Sequence, residues 1–306
     1  VLWDAVVLQF ARRYGRPPGR GAIVLGMGSL GAAQLNAGSV LDLIVVYDPL
    51  DAEASDGPKS LATRPYYARL TQALITALTA PMPQGRLYEV DMRLRPSGNQ
   101  GPVATSWAAF QNYQTSEAWT WEHLALTRAQ VVAGPQDLAS DLEAFRQEVL
   151  GAPRDAKAVA ADVADMRQRI AAAKAPTSIW DAKVGPGRMQ DIELVAQMGA
   201  LLCGLSERDT RSGLSAAVAE DLLDAAGSTT LTEVYGLCFE VQLAAKLLSA
   251  DPLEVEELGQ VGQEFLQRAT QAETLEAAIE RLTDAYARAD QVISRLLAPY
   301  SPGGGA

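Results

Sequence analysis

The fold is decided by residues 21–48, which read GAIVLGMGSLGAAQLNAGSVLDLIVVYD. The apolar run at 22–25 predicts a first strand, and the apolar residues at 41–47 predict a second. Between them, the glycine-rich segment 26–31 predicts a turn into a short helix, because glycine accepts positive φ and lets a ligand approach the backbone. Free N–H groups at such a turn suit a phosphate. Asp42 starts the second strand, where an unpaired buried carboxylate would be costly.

This stretch alone leaves two interpretations open. Glycine-rich turns after a strand are common, and Asp42 could simply cap the strand or the preceding turn. The pattern G-x-G-x-x-G at 26–31 also fits a dinucleotide-binding fold, in which Asp48 would be the ribose-binding acid. That fold is disfavoured because the intervening helix is too short for the crossover of about a dozen residues that joins parallel strands.

The composition is that of an acidic globular protein. The chain has 306 residues, enough for roughly two domains, and a net charge of −11. Excess negative charge argues against a sequence-independent nucleic-acid binder and against an anionic membrane surface. The sequence has no apolar run of about 18 residues and no signal-peptide layout, which predicts a cytoplasmic location and no membrane partner. The chain starts at Val1 inside a helical pattern, and we expect it to be part of a longer protein.

The cysteines and the single histidine predict no special chemistry. Cys203 and Cys238 both fall in apolar helical patterns, which favours buried, unreactive thiols. Their number and spacing fit neither a disulfide framework nor a thiolate metal site. His123 is expected to be a packed or hydrogen-bonded residue, and a zinc site is not expected.

A third strand is predicted at residues 86–95, RLYEVDMRLR, where the side chains alternate strictly. One face would present Glu89, Asp91, Arg93 and Arg95. Two interpretations fit this face: a solvated edge strand, which the pattern alone favours, or the wall of a site for an anion and a metal.

Helical periodicity predicts the remaining elements. In the first part of the chain, helices are predicted at 3–14, 63–79, 106–115 and 118–129. From residue 136 strand signals stop, and helices are predicted at 137–150, 155–174, 190–204, 214–226, 230–249, 254–271 and 273–297. The predicted domains are therefore a mixed domain at 1–135, an all-helical bundle at 136–300 and a disordered tail at 301–306.

Several segments together resemble bacterial glutamine-synthetase adenylyltransferases. These are GMGSLGAAQLNAGSVLDLIVVYD (26–48), LYEVDMRLRPSGNQGPV (87–103), YQTSEAWTWEHLALTRAQVVAG (113–134) and WDAKVGPGRMQDIELVAQ (180–197). The resemblance implies a polymerase-β-like nucleotidyltransferase domain, an α+β fold with a small mixed sheet, followed by a helical bundle. Family members are tandem enzymes, with a de-adenylylating N-terminal half and an adenylylating C-terminal half. The run EAWTWEH at 117–123 resembles the adenylylating half.

The resemblance also implies a reaction and its partners. These enzymes transfer AMP from ATP to a tyrosine hydroxyl of glutamine synthetase, which controls nitrogen assimilation, and they respond to glutamine and to the PII signal protein. The family site holds two Mg²⁺ ions between the nucleotide's phosphates and three acids, an Asp-x-Asp pair and a third acid on a neighbouring strand. The second acid of the pair matches Asp42, and the third matches Asp91.

The resemblance further implies which residues contact the nucleotide. Gly28 and Ser29 would meet the triphosphate through backbone N–H groups and a hydroxyl. Arg93 and Arg95 would either neutralise phosphate charge or pair with the acids. The helix that contains Asp191, Ile192 and Glu193 is expected to be structural.

The main departure from the family pattern is Val40, at the position of the first acid of the pair. Valine cannot ligate a metal, so we expect weaker Mg²⁺ binding and a misplaced nucleotide; Asn36 or a water could replace the lost carboxylate. Four further positions differ from the usual residue: Ser29 (Lys), Gln34 (Glu), Gln130 (Arg) and Arg188 (Gly). Two hypotheses remain: an adenylyltransferase with impaired activity, or a catalytically inactive module that binds glutamine synthetase or nucleotide.

Overall fold

The computed structural model describes residues 1–36, 38–83, 85–249 and 251–300. The predicted disordered tail at 301–306 lies outside the described residues. The chain forms two compact units, one of residues 1–35 and 39–150, the other of residues 36–38 and the chain from 151 onward. The division follows Leu150, later than the predicted boundary after residue 135.

The first unit is built on a five-stranded mixed sheet. Its strands are β1 (Gly21–Gly26), β2 (Val40–Asp48), β3 (Glu89–Asp91), β4 (Ala104–Ser106) and β5 (Gln130–Ala133). The order is β3-β2-β1-β5. β3 pairs with residues 40–42 of β2, and β4 pairs with residues 45–47 further along the same strand. β1 runs antiparallel to β2 and β5, whereas β3 and β4 run parallel to β2. The antiparallel β1–β2 pair confirms that no dinucleotide-binding crossover is present, and the predicted α+β class is confirmed.

Helices of the first unit pack on this sheet. They are α1 (Leu2–Tyr14), α2 (Gly28–Gly31), α3 (Thr63–Thr79), α4 (Trp107–Ser116), α5 (Thr120–Leu126) and α6 (Gln136–Gly151). Apolar side chains of α1 and α3 join those of β1 and β2 in one core. Within it, Tyr47 of β2 stacks on Tyr67 of α3 at 4.2 Å between ring centroids. The buried Tyr66 hydroxyl donates to the Gly15 carbonyl at 2.9 Å, so burial leaves it satisfied.

Two elements of the first unit differ from prediction. The strand predicted at 86–95 is only three residues long, because Asp91 accepts a hydrogen bond from the Arg93 amide and turns the chain away from β2. The helix predicted at 118–129 ends at Leu126, and β5 follows it. The β-branched pair Val131 and Val132 before Gly134 was the signal for this strand.

Helix α6 belongs to the first unit through buried polar and aromatic contacts. Arg146 is 1% exposed; its Nε donates to the Leu126 carbonyl at 2.9 Å and its Nη2 to the Thr127 carbonyl at 2.6 Å. The ring of Phe145 packs edge-on against Trp107 at 5.5 Å. These contacts explain why the division between the units comes after α6, which was predicted to start the helical domain.

The described part of the second unit is helical and contains no strand. Its α-helices are α7 (Ala156–Ala173), α8 (Met189–Cys203), α9 (Thr210–Ala219), α10 (Ala225–Leu248), α11 (Gln260–Thr270) and α12 (Leu275–Leu297), with 3₁₀ turns at Val255–Glu257 and Ala298–Tyr300. The helix predicted at 214–226 is displaced, because Asp209 caps α9 and Asp224 caps α10.

Both cysteines were predicted to be buried, and the structure confirms this for one of them. Cys238 is buried, and desolvation raises the pKa of its thiol to about 12, which makes it unreactive. Cys203 ends α8 and is exposed, so its predicted burial was wrong. The His123 ring lies 2.9 Å from the Gln114 carbonyl through Nε2, as expected for a hydrogen-bonded histidine. Across the described residues, no helix has the length and apolar character needed to span a membrane.

Candidate functional site

Two predicted acids meet on neighbouring strands. In the parallel β2–β3 pair, Asp42 lies opposite Asp91, and two residues earlier Val40 lies opposite Glu89. Adjacent strands are about 4.8 Å apart, and partners in register project from the same face of the sheet. The carboxylates of Asp42 and Asp91 are therefore neighbours at one edge, although they are far apart in the sequence.

The glycine-rich turn folds against Asp42. Gly28 has φ +52°, and a Cβ added to it would lie 2.8 Å from Oδ2 of Asp42. The Met27 amide donates to the Asp42 carbonyl at 2.9 Å, which fixes the turn to the start of β2. Gly31 passes so close to the Arg128 carbonyl oxygen that a Cβ would lie 1.9 Å from it. Gly28 is therefore favoured by its positive φ and Gly31 is required by close approach of the backbone, and Ser29 is the second residue of the four-residue α2.

Arg93 engages both oxygens of the Asp91 carboxylate. Its Nε and Nη2 lie 2.7 and 2.5 Å from Oδ2, and its backbone amide donates to Oδ1 at 2.8 Å. The side-chain hydrogen bond from Arg93 holds the pKa of Asp91 below its usual range, against the opposing effect of burial. Of the two predicted roles for Arg93, the structure shows the ion pair with an acid.

Arg95 is placed differently from Arg93. It is buried, its Nη1 donates to the Met92 carbonyl at 2.8 Å, and its Nε donates to the Gly101 carbonyl at 3.3 Å. The charge of Arg95 also lowers the pKa of Asp91, but its effect is smaller than that of Arg93. The Arg95 guanidinium therefore binds carbonyls of the loop after β3. It does not share a strand face with Asp91 as predicted, because β3 ends at Asp91.

The donor set fits one Mg²⁺ ion carried with a nucleotide. Mg²⁺ is usually held by one or two carboxylates together with substrate phosphates, which matches the neighbouring Asp42 and Asp91. The set is short of a ligand for two metals, because Val40 occupies the exposed first position of β2. Among the described residues, no group of three or more His, Cys, Asp or Glu side chains could hold a metal ion.

The first unit is similar to a known protein family. Residues 1–145 match the family model described as glutamate-ammonia ligase adenylyltransferase. Its limits agree with the extent of the mixed sheet and most of α6.

Curated relatives extend the similarity beyond the family model. The chain is 45% identical over 242 residues to the bifunctional glutamine synthetase adenylyltransferase/adenylyl-removing enzyme of Mesorhizobium japonicum, covering 79% of the chain and 24% of the relative. The enzyme of the same name from Brucella suis is 50% identical over 199 residues, covering 65% of the chain and 20% of the relative. That of Bradyrhizobium diazoefficiens is 39% identical over 306 residues, covering 98% and 31%. The chain spans less than a third of each of these transferases.

Residues that depart from the family pattern have defined contacts here. Gln34 accepts a hydrogen bond from Nη2 of the buried Arg128 at 3.0 Å, so a neutral amide faces the guanidinium. Arg188 is buried in the second unit, donates to the carbonyls of Ser178 and Asp181, and lies over the Tyr286 ring at 4.5 Å. Arg188 therefore supports the helical unit.

The expectation that the Asp191 helix is structural agrees with its contacts. Asp191 is 6% exposed and accepts two hydrogen bonds from Arg167, at 2.7 and 2.9 Å. It also accepts one from the Gly187 amide at 2.8 Å. All of these partners lie within the second unit.

Proposed function

We propose that this chain is a nucleotidyltransferase module that transfers AMP from ATP to a tyrosine hydroxyl of glutamine synthetase. The observation that supports this most is the register of Asp42 beside Asp91, next to a glycine turn, in a segment that matches the adenylyltransferase family model. In the reaction, the tyrosine oxygen forms a bond to the α-phosphorus and its proton passes to solvent. The bond from the α-phosphorus to the oxygen that bridges to the β-phosphate breaks, and pyrophosphate leaves with the electron pair.

The chain's own residues would position the nucleotide. Asp42 and Asp91 would hold Mg²⁺ together with the phosphates, and the ion would neutralise their charge. Backbone N–H groups at Gly28 and Ser29 would face the triphosphate, because the turn packs close to Asp42 without a side chain at Gly28. Arg93 would exchange the Asp91 carboxylate for a phosphate, since its exposed guanidinium already lies at the site.

A second candidate function is a catalytically inactive module that binds glutamine synthetase or nucleotide. The observation that favours it is the donor set, which offers two neighbouring carboxylates, with Val40 at the position predicted for the first acid of the pair. Misplacing a reacting group by about 1 Å can cost on the order of a hundredfold in rate. We therefore expect slow transfer from the chain as it stands.

The deciding experiment measures AMP transfer with ATP labelled at the α-phosphate, Mg²⁺ and glutamine synthetase. The variants are Val40→Asp, its neutral isostere Val40→Asn, and Asp42→Asn. We expect Val40→Asp to label glutamine synthetase faster than the unaltered chain or Val40→Asn, because it places a metal ligand directly on β2 beside Asp42. Asp42→Asn should abolish labelling.

The other outcomes separate the two functions. Equal labelling by the unaltered chain and Val40→Asp would show that Val40 is tolerated and that the activity is not impaired. If no variant labels glutamine synthetase while all of them bind ATP, the inactive binding module is the correct interpretation.

Further parts of the proposal concern the setting of this reaction. Because the chain spans less than a third of its relatives, we propose that it works as the adenylylating part of a longer tandem enzyme. Control by glutamine and by the PII signal protein remains a prediction from the family resemblance. The reaction consumes ATP, and we keep the cytoplasm as its predicted compartment.

A further inference from the structure

The register of β2 and β3 places a third carboxylate beside the altered position. Val40 and Glu89 are partners in the parallel pair, as Asp42 and Asp91 are. Residues two apart on a strand project to the same side, so Glu89 shares a face with Asp91. A carboxylate therefore stands one strand away from the place where the family has its first acid.

Glu89 is free to reorient toward that place. Its side chain is 59% exposed and is held by a salt bridge to Arg86, at 3.0 Å, in which the arginine is equally exposed. Exposed pairs of this kind contribute little to stability, and exposed side chains change rotamer within nanoseconds. A glutamate is one methylene longer than an aspartate, which gives its carboxylate extra reach across the distance of about 4.8 Å between the strands.

We propose that Glu89 serves as the third carboxylate of this site, in place of the one that Val40 lacks. On binding of a metal–nucleotide complex, Glu89 leaves Arg86 and turns over Val40 toward the ion held by Asp42 and Asp91. Val40 has a small apolar side chain and 39% exposure, so it leaves this path open. This proposal rests on the proposed function, because it assumes that Asp42 and Asp91 bind a metal–nucleotide complex.

The test measures Mn²⁺ affinity by electron paramagnetic resonance in the presence of the α,β-methylene analogue of ATP, which cannot be cleaved. The variants are Glu89→Gln, Val40→Asp, the double variant and Asp42→Asn. The matched control is Glu53→Gln, the same change at an exposed glutamate of the loop after β2. All variants are first compared by circular dichroism, so that a loss of folding is detected separately.

We expect Glu89→Gln to weaken Mn²⁺ binding by at least about tenfold, the scale found when a supporting group of a metal site is removed. In the Val40→Asp background, the same change should have little effect, since Asp at position 40 then supplies the ligand. This non-additivity is the signature of one role shared between two positions. Glu53→Gln should bind Mn²⁺ like the unaltered chain.

Each other result has a distinct meaning. If Asp42→Asn abolishes binding but Glu89→Gln leaves it unchanged, the role of Glu89 is wrong while the proposed function stands. If Glu89→Gln weakens binding equally in both backgrounds, Glu89 does not replace the missing acid, and the proposal is overturned. If Asp42→Asn has no effect on Mn²⁺ binding, the proposed function itself fails.

Discussion

At the scale of single residues, the carboxylate of Asp91 is set by its neighbour Arg93. The hydrogen bonds from the Arg93 guanidinium and amide favour the ionised form of Asp91. They also occupy the oxygens that a metal would need. Metal binding at Asp91 must therefore compete with Arg93, and the affinity of the site depends on how readily this exposed arginine departs.

This competition predicts a change in titration. In Arg93→Gln, the pKa of Asp91 should rise, because the variant loses the side-chain hydrogen bond that is the largest cause of its lowering. The measurement is the pH dependence of the Asp91 carboxyl carbon by NMR. The control is Arg86→Gln, which removes an exposed arginine bonded to Glu89 and should leave the Asp91 titration unchanged. An unaltered Asp91 titration in Arg93→Gln would show that the pair does not form in solution.

The sign of the linked stability effect follows from the lowered pKa of Asp91. A carboxyl whose folded-state pKa is depressed stabilises the protein above its unfolded-state pKa, and this contribution disappears as the pH falls through the folded-state value. For Asp91 the affected window lies below about pH 4. Arg93→Gln should therefore lose its difference in stability from the unaltered chain on acidification through that window.

At the scale of elements, apolar patterning predicted the strands that are buried on both faces. It missed the short strands that form only by pairing with those strands. β1, β2 and α3 match their predicted ranges closely, because runs of Ile, Val and Leu or a helical stripe decide them locally. β4 and β5 have three and four residues, too few for a periodic signal, and exist because β2 and β1 offer them an edge. The alternation at 86–95 was real in the sequence but overridden by the turn at Asp91.

The candidate site was predicted in part. Asp42 and Asp91 were named from the strand pattern and the family resemblance, and in the structure they are partners in the β2–β3 pair, while their role stays a prediction. The burial of Arg95 could not be predicted, because it depends on where β3 ends. The position of Glu89 beside Val40 could not be predicted either, because register between distant strands is not visible in one sequence.

Helix α6 provides a prediction at the same scale. Arg146→Met should destabilise the first unit by about 2–4 kcal/mol, because it leaves the carbonyls of Leu126 and Thr127 buried without their donor. The measurement is urea unfolding of a fragment of residues 1–151. The control in the same fragment is Arg69→Met, at an exposed arginine of α3, which should change stability by less than about 0.5 kcal/mol. A loss that small for Arg146→Met would mean that α6 is not integral to the unit.

At the scale of the whole molecule, the division after Leu150 predicts where the chain can be cut. A fragment of residues 1–151 retains α6 and should unfold cooperatively on heating, followed by circular dichroism. A fragment of residues 1–135 loses Phe145 and Arg146, uncovers Phe110, and should aggregate or melt without a clear transition. The second unit includes the chain from Gly151 onward, and residues 152–155 lead into α7. Cooperative melting of the shorter fragment at the same temperature would contradict this division.

β2 connects folding and chemistry in one strand. It pairs with β1, β3 and β4, so the sheet cannot assemble without it, and it presents Asp42. Val40 is the exposed end residue of that strand, the one place where its sequence can change without disturbing the core. In evolution, selection for a folded chain alone would preserve nearly all of β2 while leaving position 40 to drift. A chain that descends from an active enzyme can therefore lose or alter metal binding at this position while the rest of its sequence and its fold are retained.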